Sequence, residues 1–158
     1  MDKSKQRDFA RRVSQANRTE LVVITYDIIL EELSEAGECL AAGDTEGYRK
    51  ALKKAQRFLG EIMSALDFRY APSRQLMSLY EYVQRILVAS DVSGCDKGLE
   101  SAERVLTGLR GSFEQIAAQD ASGAVMENTQ SVYAGLTYGR GSLNEMNLAD
   151  GANRGFLA

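Results

Sequence analysis

A chain of 158 residues with 44% hydrophobic and 26% charged residues is long enough for one domain with a real core and short for two. A net charge of -3 offers no overall basic surface for nucleic acid, and no apolar run approaches the roughly 20 residues that a membrane span needs. The absence of histidine removes the commonest general base and the commonest zinc or iron ligand, while a single proline and few β-branched clusters favour an all-α fold.

In chain order, residues 3 to 15 read as a short helix bearing Phe9 and Val13, too weak to stand without docking. Lys3, Lys5, Arg7, Arg11, Arg12 and Arg18 against Asp2 and Asp8 make this end a basic arm, whose plain reading is a solvated helix face. No apolar stretch follows as it would in a secretory leader, so a cytoplasmic location is expected.

Asn17-Arg18-Thr19-Glu20 then reads as an N-cap with a carboxylate three residues on, opening the first long helix. Its seam is Val22, Tyr26, Ile29, Leu33, Ala36 and Leu40, stepping by fours and threes as one buried helix face does. Gly43-Asp44 ends that helix and caps the second, whose seam is Tyr48, Leu52, Ala55, Leu59, Ile62 and Leu66. Pro72 suits the first turn of a third helix with the seam Leu76, Leu79, Val83, Ile86 and Ser90. The run Asp91 to Asp96 makes a turn and a cap, and a fourth helix follows with Leu99, Ala102, Leu106, Leu109, Phe113 and Ile116. Short connections make neighbouring helices antiparallel. From Asp120 the heptad seam stops and six of the fourteen glycines crowd into the remaining residues, interspersed with apolar groups such as Val125, Val132, Tyr133 and Leu136. The expected organisation is a helical bundle over residues 1–119, with 1–16 as an arm, and a Gly-rich tail over 120–158 that packs on the bundle.

Catalytic patterns are missing. Glu-x-x-His pairs of di-iron bundles cannot be built without histidine, and no phosphate-cradling or dinucleotide loop is present. Glu31, Glu32 and Glu35 read as a solvated face, and Cys39 and Cys95, far apart, as two buried thiols rather than a metal or redox pair. The expectation is a protein without enzymatic activity, cofactor, metal, nucleic acid partner or membrane insertion.

Surplus hydrophobicity is the informative feature. Beside its seam the first long helix carries Leu21, Ile24, Thr25 and Ile28, and the third carries Met77, Tyr80, Tyr82, Leu87 and Val88. Leaving such side chains in water forfeits about 1.5–3 kcal/mol apiece, so a lid, a partner or self-association must cover them. Cover by the N-terminal helix and the tail, as ordinary core, is the plain alternative. A groove between helices that accepts an amphipathic segment needs no catalytic residue.

The stretch Ala16 to Asp27, ANRTELVVITYD, resembles the signature of the FliS flagellar secretion chaperones, a T-A-S-P-E-x-L opening followed by apolar residues and Tyr-Asp. Lys54-Ala55-Gln56 through Leu66-Asp67, Leu79-Tyr80-Glu81-Tyr82 and Leu109-Arg110-Gly111-Ser112-Phe113 resemble the family's later helices in the same order, so the likeness spans residues 9 to 119. Gln15, Asn17 and Arg18 stand where the family usually has Thr, Ser and Pro, and Phe9 stands near its N-terminal tyrosine. The resemblance implies an antiparallel four-helix bundle with a short N-terminal helix and an extended C-terminal tail. It implies too that the bundle binds the disordered C-terminal segment of flagellin, prevents its premature polymerisation and delivers it to an export gate component of the flagellar type III apparatus. The candidate flagellin-binding residues are Phe9 and Val13 on the arm, Leu21, Ile24, Thr25 and Ile28 on the first long helix, and Tyr80, Tyr82 and Leu87 on the third. Met126 to Tyr133 or Leu143 to Leu148 could occupy the same groove as an intrachain mimic, or the tail could complete the structure elsewhere. A self-associating helical adaptor, a homodimer for instance, is the alternative from a different class.

Overall fold

Asn17 opens the first long helix as its spacing requires. Its side chain accepts a hydrogen bond from the Glu20 amide at 2.8 Å while the Glu20 carboxylate accepts one from the Asn17 amide at 2.8 Å. This reciprocal capping box satisfies two of the amides a helix start leaves unpaired, a device whose loss to alanine typically costs about 0.5–2 kcal/mol. The computed structural model describes residues 3–126. Five helices lie among them: α1 (Lys3–Gln15), α2 (Arg18–Ala41), α3 (Thr45–Ser64), α4 (Ser73–Ser93) and α5 (Leu99–Ala117). No strand occurs among the described residues.

The punctuation is chemically ordinary. Gly43, with φ of 75°, makes the left-handed step that lets α2 stop, and Asp44 caps α3 by accepting from the Gly47 amide at 2.9 Å. Pro72 sits one residue before α4, at its N-cap, rather than inside the first turn. Gly94 ends α4 in the left-handed region, and the Asp96 carboxylate accepts from the amides of Gly98 and Leu99, both at 2.7 Å, to start α5.

The long helices pack in a closed ring, α2 on α3, α3 on α4, α4 on α5 and α5 on α2, while α1 packs on α2. Short connections turn each long helix back along its predecessor, giving the antiparallel four-helix bundle expected. The core is built from Tyr26, Ile29, Leu33 and Ala36 of α2, Tyr48, Leu52, Ala55, Leu59 and Ile62 of α3, and Leu99, Ala102 and Leu106 of α5, the positions their spacing marks. Ile116, expected in the last seam, is 54% exposed near the end of α5.

The α4 seam differs from its sequence reading. Ser73, Tyr80, Val83, Leu87 and Ser90 are buried, whereas Leu79 is 39% exposed and Ile86 only partly covered. Val83 and Ser90 keep their expected places while the buried face shifts from Leu79 and Ile86 to Tyr80 and Leu87, which belong to the core rather than to a flank. The cause is polar as well as apolar: the Tyr80 hydroxyl pairs with the Tyr26 hydroxyl inside the bundle, a bond that Leu79 cannot make. Glu32 is 1% exposed between α2 and α3 rather than on a solvated face, and its carboxylate accepts from Lys54 Nζ at 3.3 Å. The thiols are not buried as expected either. Cys39 is half-buried and Cys95 exposed, with both free. Residues from 127 onward, with the segments Met126 to Tyr133 and Leu143 to Leu148 and the packing of the tail, fall outside the described residues.

Candidate functional site

The eight residues of α2 from Leu21 to Ile28 carry the surplus apolar stripe, and α1 lies against it. Ala16, Ile24 and Ile28 are buried together, with Phe9, Val13, Leu21 and Phe58 packed around them. This is a second apolar cluster, distinct from the bundle core, and α1 supplies its outer wall. Phe58 of α3 is shared by the two clusters.

Charge reinforces the docking. The basic arm meets carboxylates of α2, with Lys5 paired to Glu31 and Arg12 Nη2 donating to Asp27 Oδ2 at 2.5 Å. The other Asp27 oxygen accepts from Arg110 Nε of α5 at 2.8 Å, and Arg110 also reaches Glu114 at 2.7 Å. Asp27, 17% exposed, therefore joins α1, α2 and α5. Its carboxylate and that of Glu114 hold the Arg110 guanidinium above its ordinary pKa. Lys5 and Arg12 thus serve as docking groups, so the basic arm is not a purely solvated face.

Beside this cluster an open cleft of about 400 Å3 lies at one end of the bundle. Leu21, Val22 and Thr25 of α2 form one wall, Ile62 and Leu66 the α3 end, and Leu76, Tyr80 and Phe113 complete it. The lining is mostly aliphatic and aromatic, with Glu61 and Asp67 as its charges. A second opening of about 540 Å3 runs between the α1–α2 junction and the end of α5, where Arg12, Glu20 and Glu114 make it more polar.

The nine candidate residues thus fall into three groups. Phe9, Val13, Leu21, Ile24 and Ile28 meet in the cluster under α1. Thr25 and Tyr80 line the cleft, together with Leu21, although the Tyr80 side chain is fully buried and its hydroxyl points to Tyr26. Burial raises the pKa of both phenols, which stay protonated. Tyr82 is 40% exposed and Leu87 lies inside the core, so neither joins the others. Sequence reasoning placed Leu66 and Phe113 in helix seams but not at the site, and gave no site role to Phe58, Asp27 or Arg110. Phe58 lies on the flank beside a regular seam and carried a readable signal; the Asp27–Arg110 pair, 83 residues apart, carried none.

The model of the flagellar protein FliS family matches residues 1–120, the whole bundle with its arm. The chain belongs to the FliS family. FliS proteins are flagellar export chaperones, a family not known for catalysis. No curated protein matches this chain. No helix among the described residues is long and apolar enough to cross a membrane.

Proposed function

We propose that this FliS protein acts in the cytoplasm by holding the C-terminal segment of flagellin on the apolar face of α2 and in the adjoining cleft. The flagellin stays unpolymerised there until the complex reaches an export gate component. One observation carries this reading: the stripe Leu21, Ile24 and Ile28 is covered by a short helix, α1, that lies outside the bundle ring and adjoins an open apolar cleft. A 13-residue helix is marginal by itself, so its cover is exchangeable at modest cost. An amphipathic segment of flagellin that takes its place offers the same kind of surface, and the cleft beyond α1 accepts further apolar side chains. The binding residues are then Phe9 and Val13 as cover, Leu21, Ile24, Thr25 and Ile28 as floor, and Tyr80 as the back of the cleft. Tyr82 contributes from the exposed side of α4, and Leu87 contributes through the core that shapes it.

Isothermal titration with a peptide of the flagellin C-terminal segment tests the reading. Saturable binding with a clearly negative heat-capacity change is expected, since the peptide buries apolar surface as it orders. Ile24→Asp with Ile28→Asp should abolish that binding while the bundle stays helical. A folded double variant with undiminished affinity would move the site elsewhere, and an absence of binding with concentration-dependent mass would favour the self-associating adaptor.

A further inference from the structure

If α1 is to leave α2, the backbone must turn at Ala16 and Asn17, the two residues between the helices. Both are nearly buried, at 4% and 5% exposure. The segment that follows α5 is hydrogen-bonded to both of them. The Thr19 hydroxyl donates to Asp120 Oδ2 at 2.6 Å, the Asn17 side-chain amide donates to the Asp120 carbonyl at 3.3 Å, and the Val125 amide donates to the Ala16 carbonyl at 3.0 Å. The Asp120 carboxylate also accepts from the Ser122 amide at 3.0 Å, which fixes the turn between the two attachments. Residues 120–125 are therefore fastened at both ends, one end on Ala16 within the hinge and the other on Asn17 and the first turn of α2.

We propose that this segment is a strap that keeps the arm closed, with Asp120 and Val125 as positioning residues for α1. The inference rests on the reading of α1 as exchangeable cover for the flagellin site. The Val125 bond fixes the direction of the Ala16 carbonyl, and the Asp120 contacts fix Asn17 and the first turn of α2. A rearrangement of the Ala16–Asn17 backbone that turns the Ala16 carbonyl or shifts Asn17 breaks at least one of them. The match to the family includes Asp120 and ends there, so the Val125 end of the strap lies outside it. The strap makes arm opening depend on the chain that follows α5.

The full-length double variant Asp120→Ala with Val125→Pro removes the carboxylate and the Val125 donor while leaving α1 and α2 intact. Hydrogen exchange of the α1 amides should accelerate by about tenfold, the scale of losing one or two net hydrogen bonds, with α3 and α4 unchanged. Val125→Ala, which keeps the amide, should exchange as the wild type does. Unchanged α1 exchange in the double variant would overturn the strap. Titration with the flagellin C-terminal peptide separates the two claims. Tighter binding by a comparable factor is expected, because opening no longer taxes affinity. Faster α1 exchange with unaltered peptide affinity would keep the strap and overturn the arm's role as cover for flagellin.

Discussion

Tyr26 and Tyr80 meet hydroxyl to hydroxyl inside the bundle, both fully buried, with Phe113 5.7 Å from the Tyr26 ring. Each phenol is the other's partner, so removing one leaves a buried hydroxyl without a hydrogen bond. Tyr80→Phe should destabilise the fold by about 1–3 kcal/mol in urea unfolding, and Tyr26→Phe combined with Tyr80→Phe should cost less than the sum of the two. Additive losses would mean that the hydroxyls do not depend on each other. Asp120 offers a second test at this scale. Hydrogen bonds from Thr19 and then Ser122 lower its carboxyl from 3.8 to about 2. A pKa depressed by folding contributes stability that is complete above the unfolded value and lost as pH falls through the folded one. The hinge contacts should therefore persist unchanged from neutral pH to about 4 and weaken on approach to about 2, followed by the Ser122 amide shift in a pH titration. A midpoint near the ordinary value of 3.8 would show that those bonds do not form in solution.

At the scale of helices, α1 is held by a small apolar cluster and by two cross-helix ion pairs, Lys5 with Glu31 and Arg12 with Asp27. Partly exposed pairs contribute little singly, about 0–1 kcal/mol, so the apolar contact decides the docking. Val13→Asp should release α1, seen as rapid proteolysis of residues 3–15, while the unfolding midpoint of the bundle barely moves; a large drop in that midpoint would make α1 part of the core. The same balance explains how far the sequence could be read. Seams of α3 and α5 were legible because polar residues separate their apolar positions clearly, and that of α2 because its steps of four and three continue through Leu33, Ala36 and Leu40 beyond the apolar stretch from Leu21 to Leu30. On α4 the run from Leu76 to Val88 is apolar on several sides, so periodicity alone could not choose between Leu79 with Ile86 and Tyr80 with Leu87. A hydroxyl on a different helix made the choice. The surplus stripe Leu21, Ile24 and Ile28 and its cover by Phe9 and Val13 were legible as excess over one seam. Links such as Thr19 to Asp120, 101 residues apart, leave no local trace.

For the whole molecule, arm, cleft and strap belong to one end of the bundle, where α2 begins and α5 ends, while the core residues from Leu33 to Tyr48 lie toward the other. Binding at the first end can therefore stabilise the bundle while loosening one of its helices. A ligand at about 100 times its Kd adds about 2.7 kcal/mol to the folded state, which for a chain of this size raises Tm by about 5–10 °C. If flagellin replaces α1 on α2, that gain in Tm should come with faster hydrogen exchange in α1, since the helix that lost its place is marginal in water. If the peptide instead lies over the arm, Tm and α1 protection should rise together. Thermal unfolding and hydrogen exchange on the same saturated complex distinguish the two, because exchange of α1 for flagellin requires the two readouts to move in opposite directions.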